Sequence, residues 1–365
     1  MRFILFHSLL LLTLVAHGGG TNVVTVGSDG ACDYSTIGEA SSSALPSGLT
    51  EIRVAKNYNL SSVQVLNEKN TTIRGGYDTC ADSTPSGKTI LNGDDFSGPA
   101  FILNEHSSST SLLNLNLQDL DISGVSSASS GGVIHVEGSW QLTLNNVFMQ
   151  DNSTGDNGGA IAVSPTTDPN ALLPKVQIFG NSILSNNSAT GNGGAIACEG
   201  GGFVTVWNTQ MAFNEAGFDG GAVNLDDGCN FYLYGGGLFQ GIIFNDAGAG
   251  GGGVSASNNS LIYINSNTFD AGVALVSSNT ATNGGGINVF NESRLVAIDA
   301  TINNNSATNT GGGIRSTLAS IEISRSSPGA QCHKEIRCST VSDNSVSSVN
   351  PTSGGGGAIY TIGGS

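Results

Sequence analysis

Basic residues, aromatics and histidine are scarce in this chain. Aromatics make up 6% and charged residues 11%, with 12 Lys and Arg against 28 Asp and Glu, for a net charge of −16. That balance excludes nucleic acid and anionic membrane as partners, because both repel an acidic chain. It suits solubility and permits weak divalent-cation binding, but no cofactor is expected. So few aromatics argue against an extended stacking platform. Besides His7 and His17 there are only His106, His135 and His333. No His-Glu-x-x-His spacing, no Gly-x-Ser-x-Gly elbow and no Cys-x-x-Cys pair occurs. The glycine runs are not a phosphate loop, because strand-like segments follow them and no Gly-Lys-Ser/Thr is present. No helix-length apolar period stands out either.

What the chain has in excess is glycine, about twice the usual share, and it is placed periodically. The stretch NSATGNGGAIAC, from Asn187 to Cys198, recurs in close copies. Each copy has an aliphatic residue, two spacers, an Asn, a short polar turn, Gly-Gly, a small residue and a β-branched alternation. The aliphatic/Asn pairs are Met149/Asn152, Leu184/Asn187, Met211/Asn214, Ile242/Asn245, Val276/Asn279, Ile302/Asn305 and Val341/Asn344. Gly-Gly begins at Gly131, Gly158, Gly193, Gly220, Gly251, Gly284, Gly311 and Gly356, 27 to 45 residues apart. Periods in this range mark a stacked repeat architecture.

After each Gly-Gly the chain alternates. One set of positions runs Ile134/Val136, Ile161/Val163, Ile196/Cys198, Val223/Leu225, Val254/Ala256, Ile287/Val289, Ile314/Ser316 and Ile359/Thr361. Between them stand His135, Ala162, Ala197, Asn224, Ser255, Asn288, Arg315 and Tyr360. In strands these sets face opposite ways, the first inward and the second onto a surface. A single unit cannot bury its apolar face, whereas stacked copies can. With no helices to cover a flat parallel sheet, the solution is an all-β coil, a parallel β-helix. Each winding adds about 4.8 Å, so at least eight windings give a rod of roughly 35–45 Å. Asn tolerates left-handed backbone, and stacked Asn amides can form a ladder. Asn152, Asn187, Asn214, Asn245, Asn279, Asn305 and Asn344 are therefore read as structural. Gly-Gly allows positive φ and close approach of adjacent windings.

The paired Gly-Gly-Ala-Ile and aliphatic-x-x-Asn resembles the repeats of the polymorphic outer membrane protein family, in which GGA[ILV] accompanies FxxN. The resemblance covers roughly 130–365. Here Met, Leu, Ile or Val stands where that family favours Phe, and no membrane barrel is found. The resemblance implies a right-handed parallel β-helix of the pectin-lyase-like kind, exposed on a bacterial surface. The run TIRGGYDTC, ending at Cys80, followed by Lys88 to Gly93, resembles the opening turns of many secreted bacterial β-helix proteins.

Residues 1–18 read as a secretory signal, with Arg2 before an apolar run and a small-residue cleavage site near Gly18. The run is too short for a membrane span. Residues 19–100 read as an N-terminal cap with the first windings. A short helix with Tyr34, Ile37, Ala40 and Ala44 on one face would cover the open end. Strands follow at Ile52/Val54, Val63/Val65, Ile73, Ile90 and Leu113/Leu115/Leu117. Residues 101–365 read as the repeats, stopping within a unit, as a truncated product or the front of a longer chain would. The spans 165–174, 324–340 and 345–354 read as excursion loops, where variable recognition usually sits.

Six cysteines fit an oxidising compartment. Cys32 and Cys80 could pin the helix to an early winding, and Cys332 and Cys338 could close the charged loop. Cys198, between Val163 and Leu225 on the inner track, reads as a buried thiol. Cys229 has no assignment; a bond to Cys198 is possible, though the register argues against it. Sequons at Asn59, Asn70, Asn152, Asn186, Asn258, Asn291 and Asn304 arise from composition.

The candidate for chemistry comes from register. Glu199 and Asp226 point outward from consecutive windings, with carboxylates expected about 5 Å apart. Such a pair could bind a cation or act on a glycosidic bond. β-Helix lyases and polygalacturonases, which share the broad fold, use outer-face acid clusters. Two functions follow. One is a monomeric, exported, non-enzymatic rod, secreted or on the bacterial surface, for adhesion or display toward a glycan or a host or cell-surface protein. The other is a polysaccharide lyase or glycoside hydrolase acting on acidic glycans.

Overall fold

A computed structural model describes residues 22–43, 50–66, 69–94, 96–106, 108, 110–164, 168–235, 240–266, 272–325, 339–347 and 355–363. The secretory-signal reading of 1–18 and the Cys332/Cys338 pair lie outside the described residues. Within them the chain forms a parallel β-solenoid of about nine windings, with one short helix.

Each full winding contributes one strand to each of four parallel sheets. Sheet I carries the strand after Gly-Gly, such as Ile134–Gly138, Ile161–Ser164 and Ile196–Cys198. Sheet II carries the next, such as Trp140–Asn145, Lys175–Phe179 and Gly202–Trp207. Sheet III holds the aliphatic of the repeat, as in Phe148–Gln150 and Ile183–Ser185. Sheet IV holds the residues after the Asn, as in Ser153–Thr154 and Ser188–Ala189. Among the described residues the sheets contain 10, 11, 9 and 8 strands, so every inner winding lies between two others.

Equivalent residues lie on top of one another. On sheet I, Ile134, Ile161, Ile196, Val223, Val254, Ile287, Ile314 and Ile359 are successive register partners. On sheet III, Ile122, Met149, Leu184, Met211, Ile242, Val276, Ile302 and Val341 do the same. Most of these side chains are fully buried and form one continuous core along the axis.

The corner after sheet III is held by amides. Asn187 Nδ2 donates to Asn214 Oδ1 (3.0 Å) and to the Met149 carbonyl (3.0 Å), while the Asn187 backbone N–H also donates to Asn214 Oδ1 (3.1 Å). The pattern repeats from Asn152 through Asn344. At the N-terminal side Val125 takes the Asn position, and its N–H donates to Asn152 Oδ1. Full use of both amide groups keeps a row of buried polar side chains satisfied.

The residue before each ladder Asn has positive φ: Asp151, Asn186, Phe213, Phe244, Ser278, Asn304 and Asp343. So does the first Gly of each Gly-Gly pair, from Gly131 (+77°) to Gly356 (+60°). The second Gly has a different reason. A Cβ on Gly194 would lie 2.2 Å from the carbonyl oxygen of Gly221 in the next winding.

Several expectations change. Gln64 and Leu66 face inward on the strand Gln64–Leu66, and Val65 is exposed. Gln64 is accommodated because its Oε1 accepts from Gly38 N and its Nε2 donates to the Ser62 carbonyl. Ile90 likewise points to solvent, while Thr89 and Leu91 are buried. The Thr89 hydroxyl is satisfied by Gly76 N and the Val54 carbonyl. Polar residues that bond inward thus shift the alternation by one. The helix is shorter than its sequence pattern, Ile37–Ser42, and has a capping box between Thr36 and Glu39. Ser345–Val346 is a strand of sheet IV rather than loop, paired with Ser306 and Ala307.

The cysteines also differ. Cys32–Cys80 is a disulfide, and so is Cys198–Cys229, which replaces the expected buried thiol. Cys198 ends a sheet I strand, and Cys229 opens the sheet II strand one winding later, opposite Gly202. The bond crosses the corner between sheets, which a comparison of equivalent positions does not sample. Closing a 31-residue loop contributes about 3–4 kcal/mol in the chain-entropy account.

Replacing Asn214 by Ala should lower the thermal midpoint far more than the same change at Asn344. At Asn214 the loss orphans the Asn187 backbone N–H, one Asn187 Nδ2 hydrogen and the Leu184 carbonyl, a cost of roughly 3–9 kcal/mol for three groups at 1–3 each. At Asn344 the same bonds are only partly buried. Equal melting shifts for the two variants, followed by circular dichroism, would contradict this account.

Candidate functional site

The outward face of sheet I is not a free surface. Ala162, Ala197, Asn224, Ser255 and Asn288 are all 5% exposed or less. The turn before each Gly-Gly, redirected by its positive-φ glycine, folds back beside this face. A Cβ on Gly250 would sit 2.5 Å from Asn288 Nδ2, and Asn157 Nδ2 donates to Glu199 Oε1 (2.9 Å). Charged side chains collect where the turn stack meets the sheet: Glu199 feels Asp226 and Asp156, and Asp219 feels Arg315 and Asp226.

Glu199 and Asp226 belong to consecutive windings, each one residue beyond the Cys198/Leu225 register pair. Their backbone N–H groups donate to the carbonyls of Val163 and Cys198. Burial raises the Glu199 carboxyl above its ordinary value. Asp226 and Asp156 add to this, while the Asn157 hydrogen bond opposes it. Asp226 Oδ1 accepts from Ser257 Oγ (2.7 Å), Asn258 Nδ2 (2.7 Å) and Asp227 N (2.9 Å). Its carboxylate is therefore fixed by uncharged donors. Among the described residues the one cluster of three potential metal-ligating side chains is Asp29, Cys32 and Cys80. Its two sulfurs are bonded to each other, so they are not free to ligate. Glu199 and Asp226 have no third close ligand of that kind.

Further along, a depression of about 280 Å3 is lined by Asp219, Asn283, Asn288, Phe290, Arg315 and Thr317, together with Ala249, Gly250 and Asn291. Arg315 Nη1 donates to Asn288 Oδ1 (3.2 Å). Burial raises the Asp219 carboxyl, against a Gly250 backbone hydrogen bond and the Arg315 charge. At the other end His135 Nε2 bonds Ser164 Oγ (2.8 Å), and burial lowers its basicity. Sequence reasoning placed Arg315 and Asn288 on the outward track but not Asp219 beside them. Asp219 lies immediately before Gly-Gly, in the turn whose fold-back the alternation does not encode.

Seven of the aromatics pair up between windings outside the core. Phe179 and Trp207 stack at 4.6 Å on the outer side of sheet II, and Tyr232, Tyr234 and Tyr263 continue that surface. Phe213 and Phe244 stack at 5.2 Å at the ladder corner, where both are more than half exposed and hold positive φ. A scarce residue type therefore still forms two aromatic rows, because the repeat brings one position per winding into line.

Residues 181–199 match the Chlamydia polymorphic membrane protein repeat. The match covers three of the four sides of one winding, from sheet III through Asn187 and sheet IV to the sheet I strand and Glu199, without a sheet II strand. Together with the parallel β-solenoid, it agrees with the resemblance drawn from the repeats. No curated protein and no solved structure matches the chain.

Glu199→Gln should stabilise the protein at neutral pH. A raised folded-state pKa means that the folded form holds its proton longer than the unfolded form, so stability falls as pH rises through that window. The neutral Gln escapes this loss. The melting-temperature gain should therefore be present at pH 7 and vanish below about pH 4, where Glu is protonated in both states. A pH-independent gain would rule out this origin.

Proposed function

We propose that this chain is an exported bacterial protein, secreted or held at the cell surface, that acts without catalysis as a scaffold for adhesion or display. The observation that carries the reading is the division of labour within each winding. Aliphatics, ladder Asn residues and Gly-Gly pairs meet the demands of the stack, leaving the charged residues beside the turns and the outer aromatics to recognise a ligand. The match of residues 181–199 to a polymorphic membrane protein repeat supports a surface location. No described helix is long and apolar enough to cross a membrane. The partner would be a glycan or a host or cell-surface protein, met by a monomer.

Treating intact source cells with a protease that cannot enter them should remove the protein or its fragments. The purified chain on beads should retain cells or glycan-coated surfaces. Protection until lysis, with none in the medium, would sink the surface assignment.

A second reading keeps Glu199 and Asp226 as an acid and base toward acidic glycans. It is favoured by the raised Glu199 carboxyl beside a fixed carboxylate. Incubation with acidic polysaccharides should then generate new chain ends, and the Glu199→Gln/Asp226→Asn variant should not. Cleavage that survives the double change would remove these two residues from the reaction.

A further inference from the structure

We propose that the depression between Asp219 and Arg315 binds one neutral hexose unit of a glycan. The site so assigned supplies the display scaffold with a ligand and depends on that reading.

Unsatisfied groups converge there. Arg315 Nε and Thr317 Oγ1 are buried atoms with no hydrogen-bond partner among the described residues, and both residues line the depression. Buried polar atoms of this kind are rare in native proteins, and a hydroxyl arriving from outside the chain is one partner that would satisfy them. The Arg315 guanidinium is already oriented by its bond to Asn288, so its remaining N–H groups are presented in a fixed geometry.

The chemistry of the lining selects the ligand. Asp219 offers acceptors, Arg315 offers donors, and Asn283, Asn288 and Thr317 offer both. A ring of hydroxyls, each able to donate and accept, meets such a mixture at every position. Phe290 adds an apolar patch for the C–H side of a sugar ring. The volume of about 280 Å3 suits a single ring rather than an extended chain. Charge decides between sugar classes. Asp219 and Arg315 cancel locally, and the chain carries −16 overall. An anionic uronate would face both Asp219 and that field, and a cationic amine would face Arg315. A neutral polyol avoids both repulsions.

The test is saturation-transfer NMR on the full chain with the methyl glycosides of glucose, galactose and mannose, and with methyl glucuronoside and glycine for comparison. At least one neutral glycoside should bind, and Arg315→Gln and Asp219→Asn should each weaken it about tenfold, the scale of a lost hydrogen bond to a charged group. Glu322→Gln, on another sheet, should leave it unchanged. Gly250→Ala should abolish binding, since its Cβ would lie 2.5 Å from Asn288 Nδ2 and 2.9 Å from Asp219 Oδ1. If Arg315→Gln does not fold, Thr317→Val reads the same pocket by removing one hydroxyl. Binding of the glucuronoside or glycine alone, or of nothing, overturns the proposal. Bead adhesion that survives loss of hexose binding leaves the display reading standing, whereas a protein shown not to reach the surface sinks that reading whatever the NMR shows.

Discussion

The ladder of asparagine amides is the interaction on which the rest of the structure depends. Each amide accepts from the winding before it and donates to the winding after it, so the row aligns successive coils to within hydrogen-bond tolerance. Once that corner is fixed, the aliphatic three residues earlier must fall on the core side. The residue just before the Asn must take left-handed backbone. Where Asn or Asp stands there the cost is small. Phe213 and Phe244 hold the same conformation without that advantage, which is how two large apolar side chains come to stand exposed and stacked at the corner.

The Gly-Gly corner imposes the complementary constraint. The first glycine turns the chain and the second allows the next winding's carbonyl to approach where a Cβ would collide. The two corners together set the stacking distance. Between them the windings differ in length, since the connections into and out of sheet II absorb insertions, as between Ser164 and Lys175, Asn265 and Leu275, and Ser324 and Thr340. This tolerance explains how repeats of unequal length keep one register.

Much of the solenoid was legible in the sequence because its determinants are local and repeated. Ile134 to Ile359 and the seven Asn positions can be aligned by eye, and they are vertical neighbours in the structure. The alternation failed where a polar side chain found partners inside, as with Gln64 and Thr89, since periodicity counts apolarity and not hydrogen-bond satisfaction. It also missed contacts between non-equivalent positions. Cys198 and Cys229 meet across a corner, and Asp219 reaches Asn288 and Arg315 through a turn. The acidic pair Glu199 and Asp226 could be read because both occupy the same place in the repeat. The pocket could not, because its residues come from two different places in the repeat.

The Cys198–Cys229 bond has a mechanical consequence. A stack in which each coil touches only its neighbours unravels from an end, one coil at a time, when pulled along its axis. A covalent link between two adjacent coils makes that pair detach as a single larger step and shields the chain between its cysteines from extension. For a rod tethered to a moving partner, the segment from 198 to 229 would act as a built-in stop against shear.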